Sequence, residues 1–336
     1  MAATTPPVSR KQSRGMSIGQ REALTGYLFI SPYLISASIF TVGLLIYAFY
    51  ISLTDLRETF SRNFNFIGLQ NYITALTNRD FQISLVNVIW YALIVCSLQT
   101  VGALALALML NAKLPGMRIF RTLFYAPSVA SSVVISLIFL WLYIRTGFIN
   151  YFLGLIGLPN ETAWLQTPTG LFEVIGQQFN PEFRISNQFL RGPSVAWMAI
   201  MAMNIFTTIP TLMLLFLAAL QDIPEYIYEA AQIDGATGWK AFWTMTLPML
   251  RPTVVLVLIL GTIGTLQVFD QVAIMTAGGP VKTTLTPAYL IYTKTLGSET
   301  SAQAGLAAAM AFILAAIIVL ITWMQRRFIE QSSERL

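Results

Sequence analysis

The sequence predicts an all-α membrane protein with six transmembrane helices, and three observations lead there. Of its 336 residues 56% are hydrophobic and only 10% charged, against about 25% charged in soluble domains. Six stretches are each apolar over about 20 residues, the length a helix needs to cross roughly 30 Å of hydrocarbon. The basic residues fall unevenly on the segments between those stretches, as a fixed orientation in a membrane requires.

The chain opens on a polar tail, residues 1–23, with Arg10, Lys11, Arg14 and Arg21 against one acid, Glu22. The apolar run that follows is too long for a signal-peptide core and lacks a clear small-residue cleavage site, so it reads as an uncleaved first span. Spans are expected over Ser31–Leu53, Leu85–Leu110, Leu123–Tyr143, Val195–Leu220, Thr253–Met275 and Leu306–Met324. Apart from Asp270, none of them contains Asp, Glu, Lys or Arg. Six crossings put both termini on one side. With the N-terminus inside, segments 1–30, 111–122, 221–252 and 325–336 hold 12 basic residues in 86 positions. The outer segments 54–84, 144–194 and 276–305 hold 8 in 112. The denser side is the cytoplasmic one, so both termini are expected in the cytoplasm.

Composition also excludes several activities. Histidine is absent and the single cysteine, Cys96, sits inside an apolar run, so no disulfide within the chain and no Cys/His metal site is expected. No Gly-Lys pair occurs, and a P-loop needs one; the chain is not expected to bind ATP. An intramembrane enzyme would need a metal site, a Ser/His pair or paired acids, and no catalytic residue is predicted. The net charge of +5 is scattered near span ends, which is not a nucleic-acid signature.

Between the fourth and fifth spans lies a polar interlude, EYIYEAAQIDGATGWKAFWTMTLPMLRP, residues 225–252. Asp222 and Glu225, three apart, predict a capping box, with Pro224 in the first turn where its missing N–H costs nothing. A short helix then runs to Gly235, whose access to the left-handed conformation suits a helix end. Thr237 is expected to cap a second short helix ending before Pro248. The product is a helix–glycine–helix elbow on the water side of a membrane domain.

Within it Glu229, Ala230, Ala231, Asp234, Gly235, Ala236, Leu247 and Pro248 form the pattern EAA…DGA…LP. In these residues the chain resembles the permease subunits of bacterial binding-protein-dependent ABC importers, of the maltose-type carbohydrate branch. Residues 115–156 look like the family's second cytoplasmic loop and third span. Residues 265–280, ending in Thr276-Ala277-Gly278-Gly279-Pro280, are similar to its TxGGP ending of the fifth span. The resemblance divides the chain into a cytoplasmic tail (1–23), a first helix with its outer loop (24–84), an ABC-type transmembrane domain (85–326) and a cytoplasmic C-terminal tail (327–336). One departure stands out, an outer-loop insertion at about 169–193. It reads either as surface elaboration or as a contact for a solute-binding protein or the partner permease.

The resemblance implies a type I importer transmembrane domain in the bacterial plasma membrane, forming half of a translocation pathway. The Glu229 loop then inserts into a groove on a separate ATPase and transmits its closure, swinging two permease subunits between inward- and outward-open states. Implied partners are a second homologous permease, an ATPase dimer that binds ATP and Mg, and an extracytoplasmic solute-binding protein. An ion-coupled secondary transporter would instead show inverted repeats and several intramembrane ionisable groups, and neither is evident.

Polar residues inside spans usually face the bundle interior. Asn204, Thr207, Thr208 and Thr211 fall at i, i+3, i+4 and i+7, one helical stripe, with Pro210 among them expected to kink the helix. The third span offers Ser128, Ser131 and Ser132 after Pro127; the fifth offers Thr265, Gln267 and Asp270. In maltose-type relatives these three helices line the sugar site, and positions matching Ser128, Ser132, Asn204, Thr208 and Gln267 contact ligand in one member. Small hydroxyls stand here where an aromatic could stack on a sugar ring. The expected solute is uncharged and hydroxyl-rich: a sugar, oligosaccharide, sugar alcohol or glycosylated compatible solute. Glycerol phosphate is the alternative, and it would favour a basic cavity. Asp270, about 9 Å from the outer end of its span, reads first as a structural polar contact near the outer gate; a hydrogen bond to solute hydroxyls, a pair with a basic residue of the partner, and proton coupling, which ATP-driven uptake does not need, are the alternatives.

Overall fold

The computed structural model describes residues 18–57, 64–112, 116–296 and 302–331. Most of the polar N-terminal tail and the last five residues of the C-terminal tail lie outside them. The described residues fall into two units, divided between Tyr50 and Ile51.

The described part of the first unit lies in one helix, Gly19–Ser52, 34 residues with a π-helical turn at Ser38–Gly43. Leu28, Phe29, Tyr33, Phe40 and Leu45 are exposed on all its faces. A helix that is apolar all round is stable only in an apolar surround, which fits a first membrane span.

The second unit holds four further helices long and apolar enough to cross a membrane: Arg79–Leu110, Val195–Gln221, Arg251–Met275 and Ala304–Arg327. The remaining expected span is not one straight helix. Ile119–Val129 and Ser132–Leu142 meet at 92°, because Ala130 and Ser131 are extended, with ψ of 146° and 140°. Pro127 denies the last turn of the first piece a donor. The Ser128 hydroxyl returns to the Tyr125 carbonyl at 2.7 Å and helps close that end.

The fifth span is broken too. Its helix stops at Leu266 and resumes at Asp270, with Phe269 at φ −136° and ψ −62°. The Val268 carbonyl freed by the break accepts a hydrogen bond from Thr286 Oγ1 at 3.1 Å. Irregular backbone is tolerated at membrane depth only where protein or a cavity receives it.

The core sits between the second, fourth, fifth and sixth spans. Tyr91 stacks on Trp197 with ring centroids 4.5 Å apart, and the Trp197 indole donates to the Asn87 carbonyl at 2.8 Å. Nearer the elbow, Ala103 and Ala107 of the second span are wholly buried against Met213, Phe216 and Leu220 of the fourth. Small residues let these two backbones approach closely, as helix pairs in membranes require. At Gly102 an added Cβ would come within 2.6 Å of Ile209.

The outer-loop insertion is organised rather than loose. Its neck is closed by a Gly170–Ser194 bridge, with Leu171 N–H on the Pro193 carbonyl at 2.9 Å. Two short helices, Leu171–Gln177 and Gln188–Arg191, are joined by an Arg191–Glu173 ion pair of 3.0 Å. Burial disfavours the charged form of Glu173. The Ile185 amide, the Arg191 guanidinium and the Gly170 amide outweigh that and hold its carboxyl below the usual range. The flap packs on the second span, where Trp90 meets Phe172 and Phe189 and donates to the Phe189 carbonyl at 3.1 Å.

Candidate functional site

The elbow forms, with a different start from the one its sequence predicts. The helix is Glu225–Ile233, and its cap position is taken by Pro224, with φ −62° and ψ 139°. Proline has no side-chain oxygen, and Asp222 instead closes the fourth span in a helical conformation. The expected capping box is therefore not made, and Pro224 stands before the first turn rather than in it.

The other end of this helix is a Schellman turn. Gly235 N–H reaches the Gln232 carbonyl at 3.1 Å and Ala236 N–H the Ala231 carbonyl at 2.8 Å, with Gly235 at φ +73°. That pair of bonds is what a left-handed residue after a helix end allows. The second helix starts from Gly238, at φ +52°, instead of from Thr237. It also runs on through Pro248: Trp239–Ala241 leads into a π-helical turn, Phe242–Thr246, and then Leu247–Met249. The wider turn accommodates a residue that has no N–H to give.

The eight motif residues divide in two. Glu229, Ala230, Asp234 and Gly235 are exposed, next to exposed Ile233, Tyr226 and Trp239. Ala231 is buried and Ala236, Leu247 and Pro248 half-buried, so these four hold the elbow together and Ala231 offers no surface to a partner. The Tyr228 and Thr246 hydroxyls, 3.3 Å apart, bridge the two helices.

A cavity of about 340 Å³ opens among the second to fifth spans. Ser128, Ser132, Asn204 and Thr208 all line it, together with Thr207 and Thr211. The fourth span passes through Pro210 as one continuous helix, so the stripe keeps its phase. Gln267 does not line the cavity. The break between Leu266 and Asp270 resets the helical phase, leaves Gln267 exposed and brings Gln271 to the wall instead. Asp270 stands one hydrogen bond behind the wall, accepting from Ser132 Oγ across the two broken spans.

Gln99 of the second span is a wall residue that helical-stripe reasoning on the other three spans missed. Its Oε1 accepts from Thr208 at 2.9 Å, and an added Cβ at Gly261 would fall 2.5 Å from its Nε2. The available signal was the residue type: an amide inside a span is costly unless it has partners.

Residues 99–331 match the family described as binding-protein-dependent transport system inner membrane component. The trehalose/maltose transport system permease protein of Thermococcus litoralis is 33% identical over 261 residues, 77% of this chain and 79% of that protein. The lactose transport system permease protein of Rhizobium radiobacter is 30% identical over 308 residues, 90% and 93% of the two chains. Among solved structures, a chain of a bacterial ABC transporter involved in the import of the acidic polysaccharide alginate matches with a TM-score of 0.72. It is 21% identical over 93% of this chain and 96% of that one.

Proposed function

This chain belongs to the binding-protein-dependent transport system inner membrane components, and from that premise we propose that it forms half of a pore importing an uncharged, hydroxyl-rich sugar. The observation that carries the solute class is the cavity wall: among the described residues, the seventeen that line it include hydroxyls and amides and no Lys, Arg, Asp or Glu. Hydroxyls and amides suit a polyhydroxylated ligand, which both donates and accepts. The wall offers no cation to a phosphate, so glycerol phosphate is the poorer fit, although one relative, from Agrobacterium fabrum, is named for that cargo. Relatives named for trehalose/maltose, lactose and arabinooligosaccharides support the sugar reading.

The elbow is the coupling element of this reading. Glu229, Ala230, Asp234 and Gly235 present its outer face to the groove of a separate ATPase dimer, which binds ATP and Mg. The four inward residues transmit the push to the fourth and fifth spans, which the elbow joins directly. Both termini then lie in the cytoplasm with the elbow, and the loops of the opposite face meet an extracytoplasmic solute-binding protein. A second, homologous permease completes the pore. The test is a mild-detergent pull-down of the tagged chain with partners identified by mass spectrometry. A P-loop ATPase and a second permease with its own EAA loop are expected. Recovery of a lone chain or homodimer that moves solute without ATP would overturn the proposal.

A further inference from the structure

The hydrogen-bond directions around the cavity point to something more specific than polarity, and this step rests on the sugar reading above. Of the six hydroxyls that line the wall, five have spent their single hydrogen on the protein. Ser128 Oγ donates to the Tyr125 carbonyl at 2.7 Å and Thr207 Oγ1 to the Asn204 carbonyl at 3.0 Å. Thr208 Oγ1 donates to the Asn204 carbonyl at 2.8 Å, shared with Gln99 Oε1 at 2.9 Å. Thr265 Oγ1 donates to the Gly261 carbonyl at 2.8 Å, and Ser132 Oγ to the Asp270 carboxylate. Carbonyl and carboxylate oxygens only accept, so none of these bonds can run the other way. What the five hydroxyls have left for a ligand is lone pairs.

The remaining polar groups at the wall are neutral: the Gln99, Asn204 and Gln271 amides and the Thr211 hydroxyl. Among the described residues no cation lines the cavity, and one acid stands directly behind it. The three amides and Thr211 still donate and serve a neutral solute's oxygens, while five accepting hydroxyls, a carboxylate behind them and the lack of a cation favour a ligand rich in donors over an anion that water no longer solvates.

The geometry points to a solute site that selects by donors: it takes neutral sugars, takes a protonated amino sugar at least as well, and rejects sugar acids. This sets the chain apart from its fold neighbour, which belongs to an importer of an acidic polysaccharide. Gly264 offers a way to invert the preference. It lines the cavity, and an added Cβ there has nothing within 4 Å.

The experiment uses the complete transporter purified without its solute-binding protein, so that only the pore selects. Binding of D-glucose, D-glucosamine and D-glucuronate is compared by saturation-transfer NMR, which detects millimolar ligands. Glucosamine is expected to bind at least as tightly as glucose, and glucuronate roughly tenfold or more weakly, the cost of an anion with no cation at hand. Gly264→Lys should exchange the order of the two charged sugars while Gly264→Ala leaves it unchanged. Glucuronate binding as well as glucose in the native protein would overturn the inference while leaving the sugar reading standing. Binding by none of the three would overturn the sugar reading itself, and this inference with it.

Discussion

The elbow and the cavity are built on opposite plans. The elbow is made by chain-local bonds: both Schellman contacts span five residues or fewer, and even the Tyr228–Thr246 bridge joins positions eighteen apart. The cavity is made by distant ones. Ser132 meets Asp270 across 138 positions and Thr208 meets Gln99 across 109. A local turn can move as one piece and push on whatever it is joined to. A wall assembled from four spans changes shape when any of them shifts. An element held by local bonds is suited to receiving a force, and one that depends on the relative placement of helices is suited to releasing a solute.

The largest effect is expected at Gly235. A β-branched residue there must adopt φ +73°, at a cost of about 1–2 kcal/mol or more. Gly235→Val is expected to abolish solute uptake while the reconstituted complex keeps its ATP hydrolysis, and Gly235→Asn, which tolerates the left-handed region, should restore most of the uptake. Uptake surviving in the valine variant would remove the elbow from the force path.

A smaller effect is expected at the cavity. Thr208→Val keeps the shape but removes the hydroxyl that ties the fourth span to Gln99. One hydrogen bond is worth about 1 kcal/mol net, so solute affinity should fall about fivefold, with basal ATP hydrolysis unchanged. If hydrolysis and affinity fell together, the two regions would not be separable as claimed.

The smallest effect belongs to the flap. Glu173 titrates lower in the folded chain than when free, so its contribution is fully present above the ordinary carboxylate range. It fades as pH falls through the lowered value. Protection of the amides of residues 170–192 against hydrogen exchange, taken relative to their intrinsic rates at each pH, is expected to be high at pH 7 and to fall once pH drops below the ordinary carboxylate range, and Glu173→Gln should show the lower protection already at pH 7.

How much of this was legible in the sequence follows the same division. Gly235 could be read as a positive-φ position because only a few neighbouring residues decide it. The capping box could not be, because Asp222 has two helix ends within reach and closes the earlier one. Polar stripes on apolar helices were enough to bring Ser128, Ser132, Asn204 and Thr208 to one cavity wall. Gln267 escapes that logic because a helical wheel assumes an unbroken helix, and the interruption at Gln267–Phe269 depends on a carbonyl partner, Thr286, eighteen residues beyond Val268. The 92° bend of the third span was hidden similarly. Pro127 signals a weak point, but the turn falls at Ala130 and Ser131, where the cavity receives the opened backbone.

If the elbow's outer face meets a separate ATPase, as proposed, a cross-linker placed on that face should reach it. Cys96 is the only cysteine and is buried, so Ile233→Cys, at a position 86% exposed, introduces one accessible thiol. With the complete transporter in membranes, a short thiol-to-amine cross-linker attached to that thiol is expected to capture the P-loop ATPase subunit and to arrest uptake. Free labelling of the same thiol by a water-soluble maleimide in the assembled transporter, with no ATPase captured and uptake intact, would contradict the account.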